Sequence, residues 1–297
     1  MRVAVTGSHG LIGTALLARL RADGHVGVPV VRSTAKHDEI GWDPAAGRLD
    51  PRELSGVDAV VNLAGAGIGD HRWTDDYKRE VMESRTKGTA LLARTLADLA
   101  DGPRVLLSGS AVGYYGDRGD EELDERSAPG TGFLTEVVEA WEAATAPAEA
   151  AGVRVAHLRT GIVLAPKGGV LAKLLPLFKL GVGGRFGSGK QWMSWISLDD
   201  EVSAILHLLA SDVTGPVNLT APNPVTNAEL ADTLGDVLHR PTILPVPAFA
   251  PRLLLGGDRA DGLLFDGPRV LPRVLQGDGF PFAHPTLADC LHAVLRR

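Results

Sequence analysis

Apolar and polar positions follow two rhythms along this chain. Short β-branched runs at residues 2–6, 28–32, 58–63, 104–108 and 153–158 predict strands, with a further short one at 39–42. Stretches of helical period lie near 11–22, 75–100, 133–151, 198–210 and 227–238, several opened by Ser, Thr, Asp or Asn in capping positions. Strand–helix alternation of this kind predicts an α/β fold with a doubly wound parallel sheet and a binding crevice at the strands' carboxyl ends. From about Leu164 onward Gly and Pro become frequent and the alternation fades. A larger domain over 1–163 and a smaller substrate or cap lobe over 164–297 are therefore expected, with one strand and helix near 198–220 returning to the first.

The strongest motif joins the first strand to the first helix: Thr6-Gly7-Ser8-His9-Gly10-Leu11-Ile12-Gly13. Gly7 permits a tight turn, Gly10 lets backbone approach a pyrophosphate, and Gly13 allows close helix packing. The helix start at Leu11 and Ile12 presents unpaired N–H groups and a favourable dipole to an anion. A ligand-free glycine turn is the competing reading; a strand before and a helix after favour Rossmann-type dinucleotide binding. About twenty positions on, an NAD site carries an acid for the ribose hydroxyls. Here that place reads Val31-Arg32-Ser33, with no carboxylate until Asp38. A guanidinium suits a 2′-phosphate through paired, charge-assisted hydrogen bonds, so NADP(H) is expected, with a solvated surface arginine as the alternative.

Composition narrows the partners. Against 36 acidic residues stand 30 Lys and Arg, a net charge of -6, with no dense basic block, so neither nucleic acid nor a membrane surface is expected and a small-molecule substrate is. No apolar run reaches the roughly 18 residues of a membrane span, which points to a cytoplasmic protein. The lone Cys290 forms no disulfide framework, and His and Asp spacings match no metal site. A homodimer is compatible with all of this.

The motifs together resemble the extended, atypical short-chain dehydrogenase/reductase superfamily, and within it the YfcH-like epimerase branch that carries a C-terminal domain of unknown function, here about 248–297. The resemblance runs through Gly41-Trp42-Asp43-Pro44, Val61-Asn62-Leu63-Ala64-Gly65, Arg72-Trp73-Thr74, Ser110-Ala111-Val112-Gly113-Tyr114-Tyr115-Gly116, Leu158-Arg159-Thr160-Gly161 and Ser194-Trp195-Ile196. It implies that Leu63, Ala64 and Gly65 line the dinucleotide, with Ser108, Ser110 and Ile162 near its nicotinamide end. Arg85 stands where many relatives carry Asn and is expected to face the cofactor, with Glu80 on a loosely shared helical face.

Catalysis departs from the superfamily's pattern. Its Tyr-x-x-x-Lys pair is replaced by Phe133 and Val137, neither of which transfers a proton. Ser110 remains, and Tyr114 or Tyr115 is the candidate phenol; both rings packing as loop anchors is the rival reading. Ser197 replaces a common His. The cap loop 183–192 is expected to be mobile, with Arg185 and Lys190 offered to an anionic substrate group or simply solvated. Two functions fit: an NADP(H)-dependent epimerase or oxidoreductase acting on a small polar, sugar-nucleotide-like substrate through a non-standard acid/base group, or a weakly catalytic NADP(H)-binding sensor or scaffold.

Overall fold

The computed structural model describes residues 1–32, 34–242, 245–247, 249, 252–253 and 256–295. Its sheet has 8 strands: β1 (Arg2–Thr6), β2 (Val26–Val31), β3 (Ile40–Asp43), β4 (Arg48–Leu49), β5 (Ala59–Asn62), β6 (Val105–Ala111), β7 (Arg154–Thr160) and β8 (Gly215–Leu219). Their order is β8-β7-β6-β5-β1-β2-β3-β4, and every pairing is parallel except β3 with β4. The chain runs outward from β1 in both directions, so the strand order reverses between β1 and β5, the place at which sheets of this kind bind their ligands.

Seven helices matter for the site: α1 (Leu11–Ala22), α2 (Asp75–Ala97), α3 (Phe133–Ala143), α4 (Ala146–Ala150), α5 (Gly169–Lys179), α6 (Leu198–Ala210) and α7 (Asn227–Leu238). Alternate residues of β1 show why the sheet is covered on both faces. Val3 and Val5 pack with Leu16 and Leu20 of α1 and Ile205 and Leu208 of α6, while Ala4 packs with Leu92 and Leu96 of α2 and Ala148 of α4. A third core joins α5, α7 and the helix Leu287–Leu295 in the C-terminal lobe.

One expected helix, 133–151, is two. Thr145 opens α4 with Pro147 in its first turn; proline has no N–H to continue the ladder, so α3 stops at Ala143. The C-terminal part is stitched to the first domain. Arg269–Val270 pairs in parallel with Glu122–Leu123, and Leu275 and Phe280 belong to the same core as Val3 and Val5. No helix among the described residues is long and apolar enough to cross a membrane.

Candidate functional site

The turn after β1 is held by contacts that only glycine permits. Gly7 has φ +63°, and a Cβ there would lie 2.5 Å from the Leu63 carbonyl oxygen. A Cβ on Gly13 would run into the carbonyl oxygen of Gly7, so α1 begins against the turn itself. Gly10 donates its N–H to Gly7 O at 2.9 Å and caps α1 without a side-chain hydrogen bond, and the first turn of α1 contains no acid. Its leading N–H groups, including those of Leu11 and Ile12, are thus left for an anion. A cradle this close to backbone fits a dinucleotide pyrophosphate.

The loop after β5 is pinned by buried hydroxyl and amide groups. Thr6 Oγ1 donates to Asn62 Oδ1 at 2.7 Å and accepts the N–H groups of Leu63 and Ala64 at 3.0 and 3.1 Å. Asn62 Nδ2 and Trp141 Nε1 both donate to Thr89 Oγ1 at 2.9 Å, tying β1, β5, α2 and α3 together. Arg85 braces the same loop, donating Nη1 to Ala66 O at 3.0 Å while its guanidinium lies over Trp141, 5.1 Å from the ring centre. Burial lowers Arg85 to about 10. A Cβ on Gly65 would sit 3.1 Å from the Arg85 guanidinium carbon. Arg32 is exposed just beyond β2, Glu80 is exposed on α2, and Ser33 lies outside the described residues. Ile162 opens a short strand beside Trp195–Ser197 and donates its N–H to Ser194 O at 2.8 Å. The turn before α5 also comes close to the start of α1: a Cβ on Gly168 would stand 3.2 Å from the Leu11 side chain.

At the ends of β6 and β7 a second, side-chain cluster forms. Ser110 Oγ donates to Glu142 Oε1 at 2.6 Å. Arg159, directly across from Ser110 on the neighbouring strand, grips Glu142 with Nε and Nη2, both at 2.8 Å. Its Nη1 donates to the Tyr115 hydroxyl at 3.0 Å, and Tyr115 donates on to Asn218 Oδ1 at 2.7 Å. The guanidinium also lies 3.5 Å from the centre of the Tyr114 ring. Burial opposes ionisation of Glu142, but the Arg159 hydrogen bonds and charge, with the Ser110 hydroxyl, outweigh it and hold the carboxyl below its usual range. Burial pushes the Tyr115 phenol up to about 12, against the pull of Arg159.

These contacts sort the expected residues. Ser110, Tyr114 and Tyr115 are brought together, but Tyr115 is fully buried with its hydroxyl engaged on both sides, whereas Tyr114 is half-buried. Ser108 is fully buried, its hydroxyl 3.5 Å from Gly109 O. Phe133 and Val137 are apolar packing: Val137 is buried with Tyr77 and Val81, and Phe133 meets Trp73 edge-on. In the loop 183–192 the Phe186 N–H donates to Asn227 Oδ1 and Gln191 Nε2 donates to Leu264 O; Arg185 and Lys190 are exposed. Ser197 caps α6, accepting Asp200 N–H at 3.0 Å. Glu142, Arg159 and Asn218 were not singled out as site residues from the sequence. The available signal was a charge in the otherwise uncharged-to-apolar β7 stretch Val155-Ala156-His157-Leu158-Arg159, since a strand buried on both faces holds a charge only with a partner.

An acid more deeply buried than Glu142 lies on the opposite face. Glu201 of α6 is fully buried; Oε1 accepts the Thr160 hydroxyl at 2.9 Å, and Oε2 has no hydrogen-bond partner. Burial raises it to about 8, with the Thr160 hydrogen bond pulling the other way.

Fold and cleft are those of a nicotinamide-dinucleotide protein of the extended short-chain dehydrogenase/reductase type. The chain belongs to the NAD dependent epimerase/dehydratase family, whose model matches residues 3–220, and a domain of unknown function, DUF1731, matches residues 246–294. It is 46% identical to the Epimerase family protein Mb2239 of Mycobacterium bovis over 97% of this chain and 96% of that protein. Human epimerase family protein SDR39U1 (isoform 2), crystallised with NADPH, superposes with a TM-score of 0.91 at 34% identity, covering 100% of both chains. A nucleoside-diphosphate sugar epimerase of Corynebacterium glutamicum superposes at 0.81 and 36% identity, over 99% of this chain and 58% of that one.

Proposed function

We propose that the protein binds NADP(H) along the crevice between α1 and the β5 loop and acts on a hydroxyl- or carbonyl-bearing carbon of a small polar substrate, one resembling a sugar nucleotide. The carrying observation is the glycine turn before α1: Gly7 and Gly13 have no space for a Cβ, a Cβ on Gly10 would stand 3.2 Å from the Gly7 carbonyl oxygen, and the first turn of α1 holds no acid to oppose an anion. Leu63, Ala64 and Gly65 line the dinucleotide's path, braced by Arg85; Arg32, exposed at the end of β2, meets the 2′-phosphate. The NADPH described with the human relative supports this choice. When bound, the nicotinamide supplies or accepts a hydride. Ser110 and Tyr114 stand at the reacting end, with Ser108 and Ile162 shaping it, while Tyr115 positions Arg159.

A second reading is favoured by one observation, the replacement of the usual proton-transfer pair by Phe133 and Val137: a dinucleotide-binding sensor or scaffold with little turnover. Identifying any co-purified nucleotide, titrating NADPH against NADH, and screening carbonyl and alcohol panels separates the two. The enzyme consumes bound NADPH or reduces NADP⁺ with a panel member. A sensor binds NADPH and stays inert, and a protein that binds neither form refutes both.

A further inference from the structure

We propose that Glu142, clamped by Arg159, is the proton acceptor behind Ser110, and that this arrangement selects a substrate presenting a hydroxyl group. The proposal rests on the NADP(H)-dependent reading above and goes further, naming the group the cleft takes and where its proton goes.

A serine hydroxyl has one proton to give, and here it is given to Glu142 Oε1 at 2.6 Å. What Ser110 keeps for a substrate is lone pairs. Turning that proton toward a carbonyl oxygen would exchange a charge-assisted hydrogen bond for a neutral one of roughly half the strength. A substrate hydroxyl, by contrast, donates to Ser110 Oγ without disturbing the bond to Glu142. The other contacts keep the carboxylate ionised and still: Arg159 holds both of its oxygens, and the Arg159 fork is itself fixed by the Tyr115 hydroxyl, which Asn218 orients in turn. Arg159, Tyr115 and Asn218 are thus positioning residues. His157 of β7 also faces Glu142 and is kept toward its neutral form by burial although Glu142 pulls the other way.

The proton step follows from these contacts. The substrate O–H proton passes to Ser110 Oγ as Ser110's own proton passes to Glu142 Oε1. The substrate carbon gains its C=O bond as its C–H electron pair leaves as hydride to the oxidant, NADP⁺. The cluster gains one positive charge, and the Glu142 side chain, 13% exposed, returns the proton to solvent. Run backwards, the same path protonates a substrate oxygen. Two groups on neighbouring elements thereby do the work of the missing Tyr and Lys: Ser110 touches the substrate and Glu142 stores the proton.

The test compares wild type, Ser110→Ala and Glu142→Gln in the full-length chain. Ser110→Ala keeps the buried ion pair, so it reports on the relay even where Glu142→Gln fails to fold. The first readout needs no substrate: an infrared acid titration, with the Glu142 carboxylic-acid band identified by its loss in Glu142→Gln or in the double variant Glu142→Gln/Arg159→Met, which leaves no buried charge unpaired. Loss of the Ser110 hydrogen bond should move that band to higher pH. The second is oxidation of an alcohol and polyol panel with NADP⁺, where Ser110→Ala should lower kcat at least about 100-fold with NADPH affinity unchanged. An unmoved band, or an active wild type matched by Ser110→Ala, overturns the relay alone. A wild type that binds NADPH but is inert toward alcohols and carbonyls alike overturns the enzymatic reading and the relay with it.

Discussion

The turn between β1 and α1 is made of backbone, whereas the cluster at the ends of β6 and β7 is made of side chains drawn from β6, the Tyr114–Tyr115 turn, α3, β7 and β8. The first recognises what every dinucleotide has, a pyrophosphate, with groups that every residue carries. It needs only the absence of side chains at three positions. The second needs a particular functional group at each place, and it tolerates the loss of neither Glu142 nor Arg159, because a charge left alone in that interior loses its compensation. Binding and chemistry thus respond to different kinds of substitution.

The largest effect should come from Glu142→Ala. It leaves Arg159 buried without its partner and should cost about 3–5 kcal/mol in denaturant unfolding at neutral pH, with little change in NADPH affinity among molecules that remain folded. The carboxyl is depressed in the folded state, so its contribution is present above the unfolded carboxylate pKa and is lost as pH falls through the folded value. An acid titration of stability that runs parallel in wild type and variant would break the comparison.

Gly13→Ala should strike binding as well as stability. A methyl group against the Gly7 carbonyl forces the turn open, which should cost about 2–3 kcal/mol of stability and abolish measurable NADPH binding by titration. If NADPH affinity survives, the turn is not the pyrophosphate site. Glu201 sharpens the contrast from the far face of the sheet, since it is an acid without the cation that Glu142 has. Its pKa is raised, so the folded chain holds a proton that the unfolded chain releases, and stability falls as pH rises from the ordinary carboxylate range to about 8. Glu201→Gln should therefore gain on wild type by about 1 kcal/mol per pH unit between pH 5 and pH 8, read from melting curves across that range. The smallest effect belongs to Arg32→Gln. Stability should not change at this exposed position, while the preference for NADPH over NADH should fall about tenfold, about 1.4 kcal/mol, in paired titrations; equal loss for both cofactors would detach Arg32 from the 2′-phosphate.

How much of this is legible in the sequence follows the same division. The glycine turn can be read because its three glycines are local and lie between a strand and a helix. The sheet can be read because parallel strands are apolar on both faces. Glu142 on a helix and Asn218 in a late strand carry no such mark, and their roles arise only when β6, β7 and β8 lie side by side. Ser110 is found by resemblance, but the direction in which its proton points is a matter of packing. Tyr114 and Tyr115, adjacent in sequence, are separated by burial and by the hydrogen bonds that Arg159 and Asn218 make to the Tyr115 hydroxyl alone of the two. Short pairings such as Arg269–Val270 with Glu122–Leu123 have too few residues to show a period.

The placement of Leu275 and Phe280 in one core with Val3 and Val5 bears on how the chain is made. The first strand leaves the ribosome long before the segment Arg273–Gly277, which packs against β8 at the far edge of the sheet and completes the core that β1 shares. With synthesis proceeding at about 5–20 residues per second, that core stays open at its β8 end for many seconds after α1 and α6 have been made. The core closes only after the last segment has emerged, so a message or cleavage event that ends the chain before about residue 280 should yield an aggregation-prone protein rather than a smaller working one.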